Sequence, residues 1–259
     1  MTEFSELING VHRDGDAWTA DVSEDWRQGR TLFGGLCGAL CLEAAKREFT
    51  DLPPLRSAQF ALVGPAAGKI MVRLSMLRRG KSTAFVSADL FGEDGLATRA
   101  SLCFADPRPS AYEYAKGAMP GVKTPEQSTP FSRKVNFAQH FDNRLGGGNL
   151  PFSKAAEPTM LLWMRHRDEV LAPSPTALVA LADAPPPAAQ VLFDQQAPVS
   201  TMTWAFDFLT DDLATEGGWW LIRVSAESVL GGYSSQAMTV WNSTGKRVLV
   251  GRQNYAVFG

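Results

Sequence analysis

Ser174-Pro175-Thr176-Ala177-Leu178-Val179-Ala180-Leu181-Ala182-Asp183 reads as a short helix with apolar residues on nearly every side. Ser174 is a capping residue, Pro175 suits the first helical position, and Pro185-Pro186-Pro187 stop the helix just beyond Asp183. A helix without a polar face must be buried on all sides. Gly35-Leu36-Cys37-Gly38-Ala39-Leu40-Cys41-Leu42-Glu43-Ala44-Ala45 has the same character, so the chain holds two such helices.

Each helix precedes a set of strand-like segments. The first set is Ile70–Leu77, Thr83–Phe91 and Ala97–Phe104, with Asp94-Gly95 as a turn. The second is Trp219–Ser225, Ser234–Trp241 and Arg247–Phe258, with Ser243-Thr244-Gly245 as its turn. An offset of 150 residues carries Gly95 to Gly245 and Phe91 to Trp241. This points to a duplicated half, and to an α+β chain in which two curved antiparallel sheets each wrap a central buried helix. The expected units are 1–105 and 131–259, joined by a Pro-, Ser- and Lys-rich linker over 106–130. Asn143 to Gly148 and Thr210-Asp211-Asp212 read as loops, Gly146-Gly147-Gly148 being a hairpin tip.

The 259 residues are 45% hydrophobic and 20% charged, with 25 Lys+Arg against 27 Asp+Glu and a net charge of −2. That composition is globular, and the balanced charge excludes an electrostatic grip on nucleic acid or an anionic membrane. Cys37, Cys41 and Cys103 form neither a disulfide framework nor a zinc motif, and free thiols suit the cytoplasm. Neither a leader pattern in Met1–Glu6 nor an uncharged stretch of membrane-spanning length is found, so an exported or membrane protein is not expected. No metal-ligand spacing occurs, and His12, His140 and His166 sit in no nucleophile motif; His166 reads as a surface strand residue.

Three places remain for chemistry. Asp183 ends an apolar helix, where a carboxylate opposes the helix dipole and burial raises its pKa, as a general base requires; an exposed turn residue is the other reading. Gln253 shares a face of the last strand with Leu249, Gly251 and Tyr255, so its amide either holds a water or carbonyl or is satisfied by backbone at the sheet's rim. Leu32-Phe33-Gly34-Gly35 leads into the first buried helix, where the N–H groups of Gly35 and Leu36 suit an oxyanion, although close packing also explains paired glycines.

Together Leu32-Phe33-Gly34-Gly35, Leu77-Arg78-Arg79-Gly80-Lys81-Ser82, Ala180-Leu181-Ala182-Asp183 and Thr244-Gly245 through Arg252-Gln253 resemble the acyl-CoA thioesterase II family, the double-hotdog thioesterases. The resemblance implies hydrolysis of an acyl thioester by a directly attacking water. That water is held by an Asp at the second helix, a hydroxyl residue on the following strand and a Gln on the last strand. Asp183 and Gln253 match. Ungapped alignment of Pro198–Thr203 puts Val199 at the hydroxyl position, with Ser200 adjacent but facing the other way unless a bulge or shift restores it.

On this reading the partner is an acyl-CoA substrate, with no separate cofactor and no metal, in lipid metabolism. Arg78, Arg79 and Lys81 are either contacts for CoA phosphates or a solvated hairpin. Phe33, Trp204 and Trp219 are expected in an acyl pocket between the units. The resemblance also implies that the two units pair through their sheets within the one chain, and further homo-oligomerisation is expected of such folds. Two rivals stand beside hydrolysis. A hotdog dehydratase would offer a His on or near a buried helix, and neither helix here contains one. A non-catalytic acyl-CoA-binding protein would account for Val199.

Overall fold

The computed structural model describes residues 1–258. In chain order its helices are α1 (Phe4–Asn9), α2 (Gly34–Glu48) and α3 (Pro175–Ala182). Its strands in the first half are β1 (His12–Asp14), β2 (Ala17–Val22), β3 (Arg27–Gln28), β4 (Thr31–Leu32), β5 (Leu55–Leu62), β6 (Gly68–Arg79), β7 (Thr83–Gly92) and β8 (Gly95–Ala105). The second half adds β9 (Thr129–Pro130), β10 (Phe141–Gly148), β11 (Thr159–His166), β12 (Val199–Phe208), β13 (Trp220–Leu230), β14 (Tyr233–Asn242) and β15 (Arg247–Val257).

The expected pair of sheets is one sheet. Thirteen antiparallel strands run in the order β1-β2-β6-β7-β8-β5-β12-β15-β14-β13-β11-β10-β9, and β5 hydrogen-bonds β12 from Ser57–Asp207 to Ala61–Thr203. Each half still wraps its own helix. Along β7 the buried residues are Ala84, Val86, Ala88 and Leu90, the alternation of a strand with one face on a core. Ala84, Ala88, Ala100 and Ala58 are small, which leaves room for the helix against the sheet. The duplicated turns behave alike: Gly95 has φ 111° and Gly245 φ 89°, left-handed values that favour glycine.

The two buried helices lie against each other and run antiparallel. Gly35 meets the Ala180 carbonyl and Gly38 meets Val179, while Thr176 at the start of α3 bonds Glu43 near the end of α2 at 3.1 Å. Ser174 caps α3 by accepting from the Ala177 N–H at 3.2 Å. The glycines of α2 are what permit this approach, since a Cβ at Gly35 would stand 2.6 Å from the Ala180 oxygen.

Other expectations shift. Asn143 to Gly148 do not form a loop with a hairpin tip but belong to β10, which pairs with β11 through a bulge between Leu145 and Gly147. His166 is half-buried rather than on the surface: its Nε2–H donates to the Ala177 carbonyl at 2.9 Å, and burial lowers its pKa to about 4. The segment between the halves does not hang free. Met119 and Val122 cover Trp163, Trp219, Leu221 and Trp241 on the outer face of the second half, and two indole N–H groups bind it. Trp241 donates to the Gly117 carbonyl at 3.1 Å and Trp163 to that of Lys123 at 2.8 Å. The chain's first residues cross over as well, with the Ser5 N–H donating to Asp168 at 2.7 Å.

Candidate active site

The antiparallel helix pair sets the site. Asp183 follows α3 directly, so it arrives at the N-terminal end of α2, where a Cβ on Gly34 would lie 2.9 Å from Asp183 Oδ2. The carboxylate opposes the dipole of its own helix but faces the positive end of the neighbouring one. It is 8% exposed. Burial raises its pKa to about 7, against the Gly35 N–H, the Gln253 amide and the Arg133 guanidinium, all of which favour the charged form.

Gln253 comes from β15 and reaches the same point. Its Nε2–H donates to Asp183 Oδ1 at 2.5 Å, so two residues 70 positions apart meet. The other end of that amide is also held: Gln253 Oε1 accepts from Gln236 Nε2 and from the Tyr255 hydroxyl, each at 2.7 Å. Tyr255 keeps its proton, because burial and the nearby Asp183 raise its pKa well above the usual value.

The hydroxyl that the fold brings beside Asp183 is that of Thr201, not of Ser200. Ser200 is exposed on the outer face of β12, whereas Val199 and Thr201 face inward and line a cavity of about 10 Å³ with Asp183, Arg133 and Tyr255. That is about the space one water needs. The bulge in β12 falls after Thr201, so it does not turn Ser200 inward. Two places along a strand restore the same face, and that shift from the ungapped register was readable as an alternative to Val199.

Arg133 is the group the sequence did not single out. It donates to the Ala184 carbonyl at 2.7 Å, lies with Cζ 5.3 Å above the Phe137 ring, and keeps its charge although burial lowers its pKa to about 10. A lone arginine in a segment with no periodicity carries no signal of its own.

At the start of α2 the expectation of free N–H groups does not hold. The Leu36 N–H donates to the Phe33 carbonyl at 3.1 Å and is occupied within its own helix, and the Gly35 N–H is turned to the Asp183 carboxylate, so neither is free. Phe33 stacks on Phe137 at 4.1 Å beside the site, and Trp204 pairs with Gln253 across β12 and β15. Trp219 lies instead on the outer face.

Arg78, Arg79 and Lys81 are not brought to Asp183. Their hairpin stands by the C-terminal end of α2, where Arg79 pairs with Asp51 at 2.8 Å, and the 15-residue helix puts roughly 20 Å between its ends. Near that end Glu43 pairs with Arg47 at 2.9 Å and with Lys46 at 3.5 Å.

Comparison with known proteins agrees with this architecture. The profile of the acyl-CoA thioesterase N-terminal domain matches residues 22–105, and that of the C-terminal domain matches residues 118–257. Among curated proteins none matches. A hot-dog-fold protein of unknown function from Alicyclobacillus acidocaldarius superposes with a TM-score of 0.90 at 22% identity, over 100% of this chain and 99% of that one. An acyl-CoA thioesterase II from Mycobacterium marinum gives 0.75 at 16% identity over 98% of each chain. The dehydratase domain from the CurJ module of curacin polyketide synthase shares the fold more distantly, at 0.55 and 14% identity over 97% and 96%. No helix among the described residues is long and apolar enough to cross a membrane. With both of its domain profiles matched over most of its length, the chain belongs to the acyl-CoA thioesterase family.

Proposed function

We propose that the protein hydrolyses an acyl-CoA thioester to the free acid and CoA by direct attack of water. The observation that carries this is the buried Asp183 carboxyl with a pKa pushed up to about 7, poised to take a proton near neutral pH. Asp183 removes a proton from a water held between itself, Gln253 and Thr201. The oxygen attacks the thioester carbon, negative charge develops on the carbonyl oxygen at the positive end of α2, and collapse expels CoA as a thiolate. The proton held on Asp183 then returns to solvent or to the leaving sulfur.

Binding without turnover was suggested by Val199. Thr201 on the same inward face supplies a hydroxyl two places further on, which favours hydrolysis. A thioester is far larger than the present cavity, so its entry requires the walls around Asp183 to part. The test is release of free thiol from acyl-CoAs of graded length and shape by wild type, Asp183→Asn and Gln253→Ala. Thiol release that depends on Asp183 supports the reading; saturable binding without release makes the protein a carrier or sensor.

A further inference from the structure

Gln253 is useful to Asp183 only if its NH₂ end, and not its carbonyl end, meets the carboxylate. The two ends of an amide are nearly the same shape, so shape alone does not decide which one points inward. A chain of bonds beginning at an unambiguous donor does decide it. The backbone N–H of Ala188 donates to Gln236 Oε1 at 2.8 Å. The opposite end of Gln236 must then be its NH₂, which donates to Gln253 Oε1 at 2.7 Å and to the Tyr255 oxygen at 3.0 Å. The Tyr255 hydroxyl donates to the same Gln253 oxygen. Both lone pairs of Gln253 Oε1 are filled, and its NH₂ is left for Asp183.

We propose that Gln236 is a positioning residue: anchored by the Ala188 N–H and assisted by Tyr255, it fixes the polarity of the Gln253 amide and thereby keeps Asp183 a hydrogen-bond acceptor. Gln236 is fully buried, as a relay without competing water requires. A reversed Gln253 would set its carbonyl against the carboxylate, and Asp183 would hold its proton to higher pH. The other charged or titratable groups facing Asp183 are Arg133, Tyr255 and the Cys37 thiol, none of which sets the orientation of Gln253 except Tyr255. The catalytic consequence rests on the thioesterase reading; the relay itself does not.

The experiment is a carboxyl ¹³C NMR titration of Asp183 in ligand-free protein, with its signal assigned by Asp183→Asn. Wild type, Gln236→Met, Tyr255→Phe, the double variant and the packing control Met238→Leu are compared. The double variant should titrate about one pH unit or more above wild type, each single variant by less, and Met238→Leu not at all. Alongside, kcat at pH 6 should fall about tenfold in the double variant, with KM within about twofold. A midpoint unmoved in the folded double variant, or moved as far by Met238→Leu, overturns the assignment. If the double variant does not fold, the single variants are read in the same titration, and two unmoved midpoints overturn it. Wild type that releases no thiol removes the thioesterase reading, yet the titration still decides the relay.

Discussion

Gly34 and Asp183 are packed so closely that a single added carbon at position 34 would stand 2.9 Å from Asp183 Oδ2 and 3.0 Å from Leu62 Cδ1. The start of one helix is thus fitted to the acid that ends the other. Gly34→Ala should push the carboxylate off its partners, lowering kcat at least about tenfold and stability by about 1–3 kcal/mol. Steady-state kinetics and urea unfolding check both, and a variant indistinguishable from wild type would show that the carboxylate does not depend on this contact.

The raised pKa of Asp183 gives a pH profile and a stability profile. Activity should climb with pH to a plateau, with kcat/KM following an acid limb near 7. For stability the sign is opposite to that of a salt-bridged acid. Between the ordinary value of 3.8 and about 7 the folded protein holds a proton that the unfolded chain has lost, so this group lowers stability as pH rises through that window. Asp183→Asn should therefore abolish turnover yet unfold at higher temperature than wild type at pH 8. The advantage, on the order of a few kcal/mol, should vanish near pH 4. Equal melting temperatures at pH 8 would argue against a strained, buried carboxylate.

Arg133 pulls in the other direction, its charge holding the Asp183 pKa down. Replacing it by Met removes that charge and the bond to the Ala184 carbonyl. The acid limb of kcat/KM should then move to higher pH than in wild type. A limb that stays in place would remove Arg133 from the electrostatics of the site.

Thr201 and Ser200 separate two registers of β12. Thr201→Val should lower kcat about 10- to 100-fold, because the water loses a hydroxyl partner, while Ser200→Ala should leave it within about twofold. The reverse ranking would place the catalytic hydroxyl on the exposed face.

The two helices and six central strands were legible because periodicity reports burial, and burial is what shapes those segments. Asp183 and Gln253 were legible for a related reason: each is a polar residue in an apolar setting. The union of the sheets follows from the resemblance alone, since the pairing of β5 with β12 is a backbone interaction between segments more than a hundred residues apart and leaves no local pattern. Arg133 was missed because its role depends on where an irregular segment is laid, and the outward-facing Trp163 and Trp241 were unreadable until the crossing chain was seen to cover them. Thr201 stands two places from Val199 on the same face of β12, a position that an ungapped register does not select.

The seam between β5 and β12 has a consequence for how the halves could ever exist apart. Each strand has its backbone bonded on both sides, β5 by β8 and β12, β12 by β5 and β15. Cut from its sister, either half would present a row of unpaired N–H and C=O groups along a long open edge, a template for pairing with any strand it met. Fusion in one chain supplies the matching edge at once and at high local concentration, so the duplication protects against aggregation as well as bringing the second half's acid to the first half's helix.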